Sequence, residues 1–150
     1  MTGSARILVV DDDQIILETL IAALESEGYT VDSADNGEKA IAKSFSNFYN
    51  LAIIDYRLPD IEGTKLLGEL KETTPKMAKI ILTGYPSLHN AIEAVNKNAD
   101  AFLLKPVAID ALLTEIRKLL KKQEEANHYS QIKVAEFIEA RTKQVLASNK

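Results

Sequence analysis

Leu51-Ala52-Ile53-Ile54-Asp55-Tyr56-Arg57-Leu58-Pro59-Asp60-Ile61-Glu62-Gly63 is the stretch on which the reading of this chain turns. Four apolar residues run without a break into an aspartate and then into a loop carrying Pro59 and Gly63. That pattern predicts a strand buried on both faces, as in a parallel sheet covered by helices. Asp55 stands at the strand's C-terminal end, where open α/β sheets place their ligands. A turn or helix-capping aspartate is the plainer alternative on this stretch alone.

The rest of the chain repeats the strand-helix alternation. Arg6 to Val10 reads as a first strand ending in Asp11-Asp12-Asp13, and Ile16, Leu17, Leu20, Ile21 and Leu24 then recur at helical spacing until Gly28. Tyr29 to Ala34 is predicted as the second strand. Asn36-Gly37 opens a helix whose apolar side includes Ala40, Ile41 and Phe45. After the Pro59 to Gly63 loop, Leu66, Leu67 and Leu70 mark a third helix that must stop before Pro75. Lys79 to Thr83 is the fourth strand; Ser87 can cap a helix bearing Leu88, Ile92 and Val95. Ala101 to Leu104 is the fifth strand, stopped by Lys105-Pro106, and Ile109, Leu112, Leu113, Ile116, Leu119 and Leu120 describe a final amphipathic helix. Five strands alternating with five helices imply an α/β, doubly wound parallel sheet with helices on both faces. Two units are expected: a domain over 5–121, and a C-terminal helical extension or linker over 122–150, whose weakest point as a continuous helix is Asn127 to Ser130.

Charge and composition narrow the chemistry. Residues 107–150 hold eight Lys/Arg and six Asp/Glu, which leaves ten against sixteen, a net −6, in residues 1–106. An acidic body argues against a nucleic-acid surface and suits a hard cation. The absence of cysteine removes disulfides, zinc thiolates and Cys nucleophiles. No apolar run is long enough to cross a membrane, and the first residues lack the apolar core of a signal peptide, so a soluble, cytoplasmic protein is expected.

The strand ends collect Asp11, Asp12, Asp13, Asp55, Thr83 and Lys105 on one edge of such a sheet. Clustered carboxylates repel one another unless a cation relieves them, which implies a divalent hard cation, Mg²⁺ by its preference for oxygen ligands and phosphate. Such a site invites phosphoryl chemistry. One carboxylate attacks phosphorus while metal and ammonium neutralise the equatorial oxygens and a hydroxyl hydrogen-bonds one of them.

At these residues the chain resembles the receiver domain of two-component response regulators, over about residues 5 to 121. The motifs are Ile7-Leu8-Val9-Val10-Asp11-Asp12-Asp13, Ile54 to Gly63, Leu82-Thr83-Gly84-Tyr85 and Ala99-Asp100-Ala101-Phe102-Leu103-Leu104-Lys105-Pro106. The resemblance implies a flavodoxin-like strand order, 2-1-3-4-5. It also implies a phosphorelay signalling switch, not an enzyme that turns over a substrate, in which Asp55 accepts a phosphoryl group from a sensor histidine kinase or phosphotransfer protein. Asp12, Asp55 and the backbone carbonyl of Arg57 would hold Mg²⁺, with Asp11 acting through water. Thr83 and Lys105 would bind the phosphoryl oxygens, Lys105-Pro106 would be cis, and Thr83 with Phe102 would form the switch. The face built from the fourth helix, fifth strand and fifth helix would meet a downstream protein or a second copy, with no direct nucleic-acid or membrane binding by this chain. Arg57 and Tyr85, each two residues after a site residue, are candidates for slowing hydrolysis of the phosphoryl group.

Two departures from the family pattern stand out: Asn98 replaces a frequent Gly, and residues 121–150 cannot build a three-helix DNA-binding module. Two rival readings remain. A haloacid-dehalogenase-type Mg²⁺ phosphohydrolase also uses an Asp nucleophile, but the chain lacks the later acidic pair and room for a cap. A receiver fold acting as a phosphate-independent interaction module would not need the full set of five polar residues.

Overall fold

The computed structural model describes residues 5–84, 87–96 and 98–148. In chain order the elements are β1 (Arg6–Val10), α1 (Gln14–Ser26), β2 (Thr30–Ala34), α2 (Gly37–Ser46), β3 (Leu51–Asp55), α3 (Gly63–Glu69), β4 (Ala78–Thr83), α4 (Leu88–Asn96), β5 (Ala101–Leu104) and α5 (Ile109–Ser148). The strands pair in parallel in the order β2-β1-β3-β4-β5, the doubly wound order expected above. Element boundaries differ from the sequence reading by one residue at β2 and β4.

The unbroken apolar runs are explained by what covers each face. Side chains alternate along a strand, so Ile7 and Val9 point one way and Leu8 and Val10 the other. Ile7, Val9, Leu51, Ile53, Ile80 and Leu82 pack with Leu17, Leu20 and Leu24 of α1 and Leu112, Leu113, Ile116 and Leu119 of α5. Leu8, Val10, Ala52, Ile54 and Ile81 meet Ala40 of α2, Leu66 and Leu67 of α3, and Ala94 of α4. Both faces of the three central strands are therefore dry.

Two positions depart from the periodicity. Phe45, expected on the apolar side of α2, is 60% exposed, while Ser44 beside it is fully buried and donates its hydroxyl to the Ile41 carbonyl. On α4, Ile92 is likewise half exposed. Asn98 takes φ +72°, the left-handed geometry that asparagine tolerates where glycine is common.

Residues 121–148 continue α5 without interruption through Asn127 to Ser130. Gln123 marks where the helix leaves the sheet: its amide donates to the carbonyls of Asn50 (2.8 Å) and Lys76 (2.7 Å) and its oxygen accepts from the Asn50 side chain. Beyond it every described side chain except Asn127 is exposed, Tyr129, Ile132, Val134, Phe137, Ile138, Val145 and Leu146 among them.

Candidate functional site

Register decides which residues meet at the C-terminal edge. Val10 lies beside Ile54, so Asp11 emerges level with Asp55; Asp55 lies beside Leu82 and Thr83 beside Leu104, so Thr83 and Lys105 follow at the same edge. The Lys105 backbone N–H donates to the Thr83 carbonyl at 2.8 Å. Thr83 itself is buried.

The three consecutive aspartates separate into different surroundings. Asp11 is 1% exposed, with one carboxylate oxygen accepting from the Asp13 N–H (2.9 Å) and the other from Lys105 Nζ (2.9 Å). Asp13 turns away and caps α1, accepting from the N–H groups of Ile15 and Ile16. Asp12 is exposed, and its carboxylate joins those of Asp11 and Asp55 with ligand atoms within 4.8 Å of one another. Asp13 is thus the member of the expected edge cluster that serves the helix instead.

Asp55 is 8% exposed and sits 3.1 Å from Lys105 Nζ. Burial raises its pKa and the neighbouring Asp11 charge adds to that; the Lys105 ammonium and the Arg57 backbone N–H oppose it, and the net shift is upward. Burial alone would pull the Lys105 ammonium down, but bonding to Asp11 and Asp55 outweighs it and holds the pKa above its ordinary value. One ammonium thus bridges two carboxylates at a mouth that solvent still reaches. The cluster carries two carboxylates more than its one cation balances. An all-oxygen donor set of that charge fits a hard divalent cation, which Asp11, Asp12 and Asp55 together could hold.

Neighbouring elements hold the strand end in place. Gly63 N–H donates to the Tyr56 carbonyl at 2.7 Å, and a Cβ at Gly63 would lie 2.4 Å from the Asp55 carbonyl oxygen, so only glycine admits this approach of α3 to the Asp55 backbone. Arg57, exposed, pairs with Glu62 in a single antiparallel bridge that closes the intervening loop. The Asp60 carboxylate in that loop reaches α2, accepting from the N–H groups of Gly37 (2.8 Å) and Glu38 (2.9 Å), and these bonds hold its pKa below the usual carboxylate range. No local signal marks Asp60 for that role, since its partners are more than twenty positions away. Phe102 is half-buried against the cluster on the α2–α4 side of the sheet, and Lys105-Pro106 is cis. Tyr85 lies outside the described residues.

The model of the response regulator receiver domain family matches residues 7–117. The transcriptional regulatory protein BasR of Escherichia coli is 33% identical over 117 residues, covering 78% of this chain and 53% of the relative. A receiver domain protein (CheY-like) from Methanospirillum hungatei superimposes with a TM-score of 0.78 at 44% identity, covering 82% of this chain and 98% of that one. A response regulator from Burkholderia pseudomallei, solved with a phosphorylated aspartic acid, calcium ion and citrate, gives a TM-score of 0.69 at 26% identity, over 87% of this chain and 75% of its own. The chain spans about half the length of the first curated relatives it matches. By fold, strand order and family match together, the chain belongs to the response regulator receiver domain family.

Proposed function

We propose that this chain is a phosphorylation-dependent signalling switch whose phosphoacceptor is Asp55. The observation that carries the reading is the Lys105 ammonium held 2.9 Å from Asp11 and 3.1 Å from Asp55 at the C-terminal edge of the sheet. Asp55 supplies the nucleophilic oxygen, and Lys105 and the Thr83 hydroxyl bind phosphoryl oxygens. Asp12, Asp55 and the Arg57 carbonyl would hold Mg²⁺, with Asp11 assisting through water. The metal, when bound, neutralises charge on the transferring group. The phosphorylated aspartate and calcium ion described for the Burkholderia protein support the assignment by similarity.

The donor is a sensor histidine kinase or a phosphotransfer protein, and the reaction is stoichiometric rather than a turnover. Phosphorylation draws Thr83 toward the phosphoryl group and Phe102 inward, which changes the α4-β5-α5 face presented to a downstream protein or a second copy. Arg57 and Tyr85, each two residues after a site residue in the sequence, slow loss of the group. Among the described residues no helix is long and apolar enough to cross a membrane, and a cytoplasmic location follows from the kinase partner proposed. Residues 5–121 form the phosphoacceptor domain and 122–150 its extension.

The test is incubation with a small acyl phosphate and Mg²⁺, followed by intact mass. One phosphoryl group per chain is expected, lost on chelation of the metal and in Asp55→Asn. Hydrolysis of many equivalents of a phosphomonoester would instead mark a phosphohydrolase, and no incorporation at all a phosphate-independent module.

A further inference from the structure

A second polar contact links the site to α4. Thr64 follows Gly63, whose N–H and close approach tie the start of α3 to the backbone of Asp55 and Tyr56. Thr64 is fully buried, and its hydroxyl donates to Glu93 Oε1 on α4 at 2.7 Å. A hydroxyl bonded to a carboxylate in a water-poor setting is a strong, charge-assisted bond. Among the described side chains of α4 only Ala94 is buried, and Ile92 is 51% exposed. The bond from Thr64 is a lateral, polar tie on α4 at Glu93. α4 is joined to the phosphoacceptor edge twice: along the chain from Thr83, and sideways through Glu93 and Thr64 to the backbone of Asp55.

We propose that the Thr64–Glu93 bond is a latch that seats α4 while Asp55 is a free carboxylate paired with Lys105, and that it sets how readily Asp55 takes a phosphoryl group. The inference rests on the phosphoacceptor reading above. A bond made in one of two arrangements shifts their balance by the free energy it contributes to that one alone. Breaking it raises the population of the competing arrangement, and with it the apparent affinity of a ligand that selects that arrangement. Thr64 and Glu93 are positioning residues: neither touches the phosphoryl group.

The experiment follows phosphoryl incorporation from a small acyl phosphate with Mg²⁺ in the full chain, together with hydrogen exchange of the α4 amides. Thr64→Val and Glu93→Ala should each speed incorporation roughly three- to tenfold and raise α4 exchange, the range expected for loss of one net hydrogen bond. Thr64→Ser, which keeps the hydroxyl, should stay near the parent. The double variant should gain no more than either single one. Parent-like rates in both single variants, slower incorporation, or independent additive gains would overturn the latch while leaving Asp55 as phosphoacceptor. Failure of the parent chain itself to incorporate phosphate overturns the phosphoacceptor reading, and the latch with it. Glu93 is only partly buried, so Glu93→Ala reports even if Thr64→Val folds poorly.

Discussion

Replacing Gly63 by alanine should injure stability and site together, because one atom would intrude on the backbone that carries Asp55. The added Cβ would lie 2.4 Å from the Asp55 carbonyl oxygen, 3.0 Å from Tyr56 Cα and 3.1 Å from the Asp55 carbonyl carbon. All three neighbours are main-chain atoms, so no side-chain rotation relieves the overlap. Ordinary contact requires α3 and the Asp55 backbone to part by about 1 Å, which also stretches the 2.7 Å bond from Gly63 N–H to the Tyr56 carbonyl. Forcing extra volume into a packed site costs about 1–3 kcal/mol, and a 1 Å misplacement of a reacting group can cost on the order of 100-fold in rate. Urea denaturation should therefore show a loss in that range, and incorporation from an acyl phosphate should fall by tenfold or more. A variant that matches the parent in denaturation midpoint and in rate would refute the argument that this close approach positions Asp55.

Asp60→Ala should destabilise the chain at neutral pH by freeing the N–H groups of Gly37 and Glu38 at the start of α2. Because the folded pKa of Asp60 is depressed, its contribution is present above the unfolded value and is lost as pH falls through the lower folded value; denaturation midpoints across the acid range should show this slope in the parent and a reduced one in the variant. Lys79 is buried with its ammonium on the Leu67 carbonyl, and burial lowers its pKa; the unfolded chain then binds the extra proton, so stability should rise as pH climbs toward about 10.4, a rise that Lys79→Met lacks when the two melting profiles are compared. Cutting the chain after residue 121 removes the Gln123 bonds to Asn50 and Lys76 and should cost about 1–3 kcal/mol, whereas a cut after residue 126 should leave the denaturation midpoint near that of the full chain. On the proposed metal assignment, Asp12→Asn should raise the Mg²⁺ concentration needed for half-maximal incorporation roughly tenfold or more, measured by titration at fixed acyl phosphate.

Local pattern was enough to find the strands, because a strand buried on both faces must be apolar at every position and must break where polar atoms reach the sheet edge. Leu51 to Asp55 is legible for that reason, and so is the α/β class, whereas Ala101 to Leu104, an edge strand with Leu104 half exposed, is legible only as a short apolar run stopped by Lys105-Pro106. Placing Asp11, Asp55, Thr83 and Lys105 on a common edge follows from parallel alternation alone; the resemblance added the strand order and the roles expected of those residues. Side-chain direction and long-range pairing were not legible in the same way. Asp11, Asp12 and Asp13 are identical in type and adjacent in sequence, yet one bonds Lys105, one stays exposed and one caps α1, a division set by the turn of the backbone as β1 gives way to the helix. Phe45 looked like core and is exposed, because Ser44 and Ala40 occupy the face of α2 that the sheet covers. Asp60 on α2, Gln123 on the strand starts and Thr64 on Glu93 all join residues 22 to 73 positions apart. Hydrophobic periodicity records burial one segment at a time, so the sequence determined which segments are strands and helices and where the polar edge lies. Which polar atoms meet across that edge depends on packing between segments, and the tertiary structure alone decided it.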